Sequence, residues 1–196
     1  MIEGPIKKDT NSYMISLRRF MYDLIIRPLT KATSFNGTSI GYNFYDLNAK
    51  INHIISPKDR LYLSFYTGGD KILSRQKTQT DLNKMTLEWG NILGSFRWNH
   101  LYGDRLFSNL TLYSTRYRLA NDFTNTFTHN SIKEKTSMSY WSGIVDLSLK
   151  ADFDYFFNQN YKVKFGATTI FHYFNPNTTS YQSVENSAAV DTSFGS

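Results

Sequence analysis

Cysteine is absent from the 196 residues, which excludes a disulfide framework, a thiolate-held metal and a thiol nucleophile together. The absence also suits a chain that crosses an oxidising compartment, where a stray thiol is a liability. Long apolar runs are missing as well. Nothing approaches the ~20 residues of a membrane helix, and the stretch from Leu24 to Ile26 is cut by Arg27 and Pro28. The opening residues MIEGPIKK carry no apolar segment, so no signal peptide is expected. Blocks of like charge are absent: the net charge of +6 is scattered, against a nucleic-acid-binding arm. There is no Gly-rich phosphate loop, no G-x-S-x-G elbow and no H-E-x-x-H. The His residues at 53, 100, 129 and 172 are widely spaced. No enzyme activity, metal or cofactor is therefore expected.

What is present is an excess of aromatics and a period of two. Phe, Tyr and Trp make up 16% of the chain, with 15 Phe and 14 Tyr. Leu61, Leu63 and Phe65 alternate with Tyr62, Ser64 and Tyr66. Val145, Leu147, Leu149, Ala151 and Phe153 oppose Asp146, Ser148, Lys150 and Asp152. Alternation of this kind marks strands whose two faces meet different surroundings. It predicts about seven strands, near 12–27, 41–55, 60–70, 84–100, 105–120, 138–153 and 161–174. In the first, the alternation breaks near Arg18 and Arg19, which predicts a bulge there.

Strand length separates two kinds of β protein. Strands of soluble domains average about 5–6 residues, whereas a tilted membrane strand needs about 9–11. The strands expected here run from 11 residues, at 60–70, to 17, at 84–100, long enough to cross. Their connections alternate. Short turns fall near 56–60, 101–104 and 154–160; longer polar segments fall at 28–40, 71–84 and 121–137. Outer-membrane barrels have short periplasmic turns and long outer loops, so the first strand should run outward. Aromatics gather where strands end, as at Tyr42, Phe44 and Tyr45, at Trp98 and Tyr102, at Tyr140 and Trp141, and at Phe153, Tyr155, Phe156 and Phe157. Such rings favour the membrane–water boundary.

The expected fold is therefore an all-β, antiparallel up-and-down membrane β-barrel segment. Its lipid-facing candidates are Leu47, Leu63, Phe65, Phe96, Leu147, Leu149, Val163 and Phe165. Its lumen-facing candidates are Asp46, Asn48, Lys50, Asn52, Arg97, Asp146 and Lys150. Asp46 with Lys50, and Asp146 with Lys150, are candidate ion pairs along a strand.

An ordered series of short motifs adds to this. It runs from Glu3-Gly4-Pro5-Ile6 and Ser12-Tyr13 through Arg18-Arg19 to Phe44-Tyr45-Asp46-Leu47-Asn48-Ala49-Lys50. Ser56-Pro57-Lys58-Asp59-Arg60-Leu61, Gly69-Asp70, Trp89-Gly90-Asn91, Arg97-Trp98-Asn99-His100, Leu106-Phe107-Ser108-Asn109 and Lys162 to Gly166 follow. The series resembles a mid-barrel segment of TonB-dependent receptors of the Bacteroidota type, which carry a carboxypeptidase-like regulatory domain. The resemblance covers residues 1–176; residues 177–196 are expected to form an outer loop or disordered tail.

The resemblance implies nutrient uptake (siderophore, cobalamin, glycan or peptide) across the outer membrane through a barrel of about 22 strands. Its partners would be outer-membrane lipid, a plug domain, the remaining strands and, through the full-length parent, TonB; no nucleic acid is implied. Seven strands cannot close such a barrel, so the chain is expected to be a fragment. Substrate choice would lie in the segments 30–39, 71–84 and 121–137. Two other readings compete: a small outer-membrane barrel with a structural or adhesive role, and a soluble β-rich binding domain.

Overall fold

The structure, a computed structural model, describes residues 1–8, 10–33, 37–129, 132–185 and 188–194. They form a single antiparallel sheet in which every strand pairs with the next in sequence. The strands are β1 (Ile2–Lys7), β2 (Asn11–Phe20), β3 (Thr38–Ile54), β4 (Asp59–Lys77), β5 (Asp81–Leu101), β6 (Leu106–His129), β7 (Ile132–Phe156), β8 (Lys162–Glu185) and β9 (Ala188–Phe194). One helix, α1 (Asp23–Thr33), connects β2 to β3. The chain is thus all-β with up-and-down topology.

The turns at one end have local chemical causes. In the β3–β4 turn, Ser56 Oγ accepts the backbone N–H of Lys58 at 3.1 Å and of Asp59 at 3.0 Å, and donates to Asp59 Oδ2 at 2.8 Å. In the β7–β8 turn, Asn158 Oδ1 accepts from the N–H groups of Asn160 and Tyr161, both at 2.9 Å. Both are side-chain-closed turns, in which a short polar side chain takes over the role of a backbone acceptor.

Among the described residues no apolar side chain is buried, and only Ser108 and Ser148 are fully buried. A single layer has nothing to pack against, so apolar side chains on both faces stay open.

Several sequence expectations are corrected. Nine strands, not seven, lie among the described residues. The first expected strand ends at Phe20, and residues 23–27 belong to α1; Pro28, read as a stop, sits inside that helix. β1 was not expected. The long loops at 71–84 and 121–137 are mostly continuations of β4 through β7; residues 130 and 131 lie outside the described residues. In the third, 28–40, residues 28–33 are helical, 38–40 open β3, and 34–36 lie outside the described residues. Most of the tail 177–196 is strand, in β8 and β9. Pairing runs unbroken through Arg18 and Arg19; β2 has no bulge there. The irregularities fall between Pro5 and Lys7 and between Trp141 and Gly143.

Candidate functional site

The pairing register sorts side chains into two faces, because paired residues share a face and neighbours along a strand do not. One row runs Ala49–Phe65–Gly94–Ser114–Leu147–Phe171, and its neighbour runs Ile51–Leu63–Phe96–Leu112–Leu149–Thr169. All eight lipid-facing candidates, Leu47, Leu63, Phe65, Phe96, Leu147, Leu149, Val163 and Phe165, lie on this face, called here the Leu149 face. The opposite row Asn52–Tyr62–Arg97–Thr111–Lys150–Thr168 defines the Lys150 face. It carries all seven lumen-facing candidates: Asp46, Asn48, Lys50, Asn52, Arg97, Asp146 and Lys150.

The Leu149 face is an exposed apolar band. Leu149 is 52% exposed, Phe165 54% and Phe171 68%. On β7 the band extends from Val145 to Tyr155, and β8 matches it from Tyr173 to Val163. That span rises about 34 Å along the strand at about 3.4 Å per residue. At the ~45° tilt of membrane strands it covers about 24 Å, the height of the apolar belt of an outer-membrane barrel, about 25 Å. Phe153 and Phe165 stack across β7 and β8, centroids 5.2 Å apart at 14°.

The Lys150 face is a polar network. Arg18 donates from Nε to Asp46 at 2.7 Å. His172 Nδ1 meets Asp146 at 2.8 Å, and Lys150 pairs with Asp152 at 2.9 Å. The expected pairs Asp46–Lys50 and Asp146–Lys150 do not form: four residues along a strand span about 13 Å, whereas a facing residue on the next strand is about 5 Å away. Asp46 and Asp146 take such cross-strand partners, invisible without the register, whereas Lys150 takes Asp152 two residues on along β7. The side-chain oxygens of Asn52, Asn99 and Asn109 are buried without a hydrogen-bond partner. Such atoms suit a face that meets water or another polar surface.

Below the apolar band, Asp59 closes the Ser56 turn and accepts from Trp98 Nε1 at 3.0 Å, with His100 Nδ1 at 2.6 Å. The His100 hydrogen bond first, then those from Ser56 and Trp98, hold the Asp59 carboxyl below its ordinary pKa. Among the described residues no group of three His, Asp or Glu side chains is placed to hold a metal ion.

Above the row Leu47–Thr67–Ile92–Arg116–Val145–Tyr173 the polarity of the sheet reverses. The Leu149 face becomes polar there, with Asn43, Lys71, Glu88, Arg118 and Asp122. The Lys150 face becomes apolar, with Phe44, Ile72, Trp89, Leu87, Leu119 and Phe123. On it Phe20 and Phe44 stack at 5.6 Å, and Tyr42 donates to Asp70 at 2.5 Å. The sequence reading missed this reversal. Its signal lies on β6, where the apolar positions change parity from Leu110 and Leu112 to Leu119 and Phe123; on β4 the adjacent Ile72 and Leu73 mask it.

No protein-family model matches the chain, and no curated protein is significantly similar to it.

Proposed function

We propose that this chain is part of the β-barrel of an outer-membrane transporter of the TonB-dependent type, with the Leu149 face against lipid and the Lys150 face toward the lumen. The observation that carries the reading is a continuous exposed apolar band on a sheet without a buried apolar side chain among the described residues. In water that surface would be an aggregation site; against acyl chains it needs no cover. Only closed sheets cross a bilayer, because an open edge leaves backbone groups unpaired in hydrocarbon. β1 and β9 end the strand order, so further strands would have to continue this sheet into a closed barrel.

Within this reading the polar network of the Lys150 face lines a lumen, and the upper parts of the strands stand clear of the bilayer. The ordered motif series favours the TonB-dependent class and uptake of a nutrient; the residues do not distinguish siderophore, cobalamin, glycan and peptide. A soluble binding domain would need a second layer over the apolar band, and none exists among the described residues.

Fractionation of cells that produce the protein tests the reading. The protein should sediment with the outer membrane and be released by detergent alone. A monodisperse water-soluble monomer would overturn it.

A further inference from the structure

One row of the Leu149 face stands out. Tyr45, Gly69, Gly90, Arg118, Gly143 and Asn175 face one another from β3 to β8, at the upper limit of the apolar band. The three glycines leave the row without side chains on β4, β5 and β7. A Cβ on Gly90 would stand 3.0 Å from the Gly68 carbonyl oxygen, and one on Gly143 3.0 Å from that of Tyr117. The result is an open hollow of about 410 Å³ lined by Tyr45, Gly69, Gly90, Ile92, Arg116 and Arg118.

Arg116 and Arg118 share this face, about 7 Å apart along β6. Both are exposed. Among the described residues neither is in an ion pair, whereas Lys71 at the rim is already paired with Glu88. Leu47, Ile92, Val145 and Tyr173, which belong to the apolar band, lie in the row of Arg116 itself and one row below Arg118. Tyr45, Trp141 and Tyr173 flank the arginines on the same face. Two free guanidinium groups thus stand where apolar surface gives way to polar surface, among rings of the kind that settle at the membrane–water boundary. A guanidinium fork matches the oxygens of a phosphate, and a long arginine stem can lie on apolar surface with its head in the polar zone.

We propose that this hollow binds the phosphate-bearing headgroup of an anionic membrane lipid, with Arg116 and Arg118 on the phosphate and the acyl chains over Ile92 and Val145. The inference rests on the reading of the Leu149 face as lipid-facing.

The test uses the full-length protein in nanodiscs of phosphatidylcholine doped with diphosphorylated lipid A, with retained lipid counted by native mass spectrometry. Protease protection is measured in parallel. Wild type should retain the phosphorylated lipid, the double variant Arg116→Gln/Arg118→Gln should bind it about tenfold or more weakly, and Lys150→Gln on the opposite face should match wild type. Failure of wild type to insert would overturn the lipid-facing reading and this site with it. Normal insertion with equal retention by the double variant would overturn the headgroup site alone. Displacement of the lipid by an equal concentration of inorganic phosphate would also overturn it, since the arginines would then be a bare anion site.

Discussion

Leu149 and Lys150 are chain neighbours on β7, yet Leu149 faces Leu112 and Thr169 across the sheet whereas Lys150 faces Thr111 and Thr168. The two surfaces of the sheet differ at this level as sharply as a single peptide step allows. Both residues lie midway along the apolar span of β7, so they report on the middle of whatever medium covers it.

Substitution at this level should therefore depend on parity. In the barrel reading, Leu149→Arg places a charge near the bilayer midplane and costs about 2–4 kcal/mol. Lys150→Gln, on the wet side, should cost less than about 1 kcal/mol. Denaturant titration of the reconstituted protein measures both, and equal costs would contradict the assignment of faces.

The stacked pair Phe153 and Phe165 offers a second check. Cross-strand aromatic pairs couple by about 0.5–1.5 kcal/mol beyond the surface they cover. A double-mutant cycle with Phe153→Ala and Phe165→Ala should return a coupling in that range. A coupling of zero would mean that β7 and β8 are not held in this register.

The turn beneath the band should respond to acid. Asp59 has its pKa lowered from the ordinary value of 3.8 by the His100, Ser56 and Trp98 hydrogen bonds. A lowered carboxyl stabilises the folded turn above that ordinary value, and the contribution is lost as pH falls through the lower, folded one. With Trp89 and Trp141 replaced by Phe, Trp98 emission should hold steady down to about pH 4 and change below it. Asp59→Asn should remove the transition. A transition near neutrality would assign it to another group.

How much of this was legible in the residues follows from where the two faces differ. Along 145–155 and 161–168 apolar and polar positions alternate without interruption, and the strand and both faces are readable there. Above the band the apolar side changes over: Lys71, Ile72, Leu73, Ser74 and Arg75 present mixed character on both faces, so no period of two survives and the stretch reads as loop. α1 was not expected because its residues divide between the stretch read as a strand, 12–27, and the polar segment 28–40 that opens on Pro28, a residue that removes a helix hydrogen bond. The ion pairs were misassigned for a different reason. Arg18 lies 28 residues from Asp46 in sequence, and only the strand register brings them together. The hollow at Gly69 and Gly90 depends on the same register and could not be read from either strand alone.

The lipid-facing assignment is tested most directly by single-cysteine labelling. The chain has no native cysteine, so Leu149→Cys and Lys150→Cys give clean single sites. In membranes that hold the full-length protein, a lipid-soluble maleimide should label Leu149→Cys strongly and Lys150→Cys weakly, and a membrane-impermeant, water-soluble maleimide should show the reverse preference. Equal labelling of both sites by the lipid-soluble reagent, or stronger labelling of Lys150→Cys, would contradict the barrel reading.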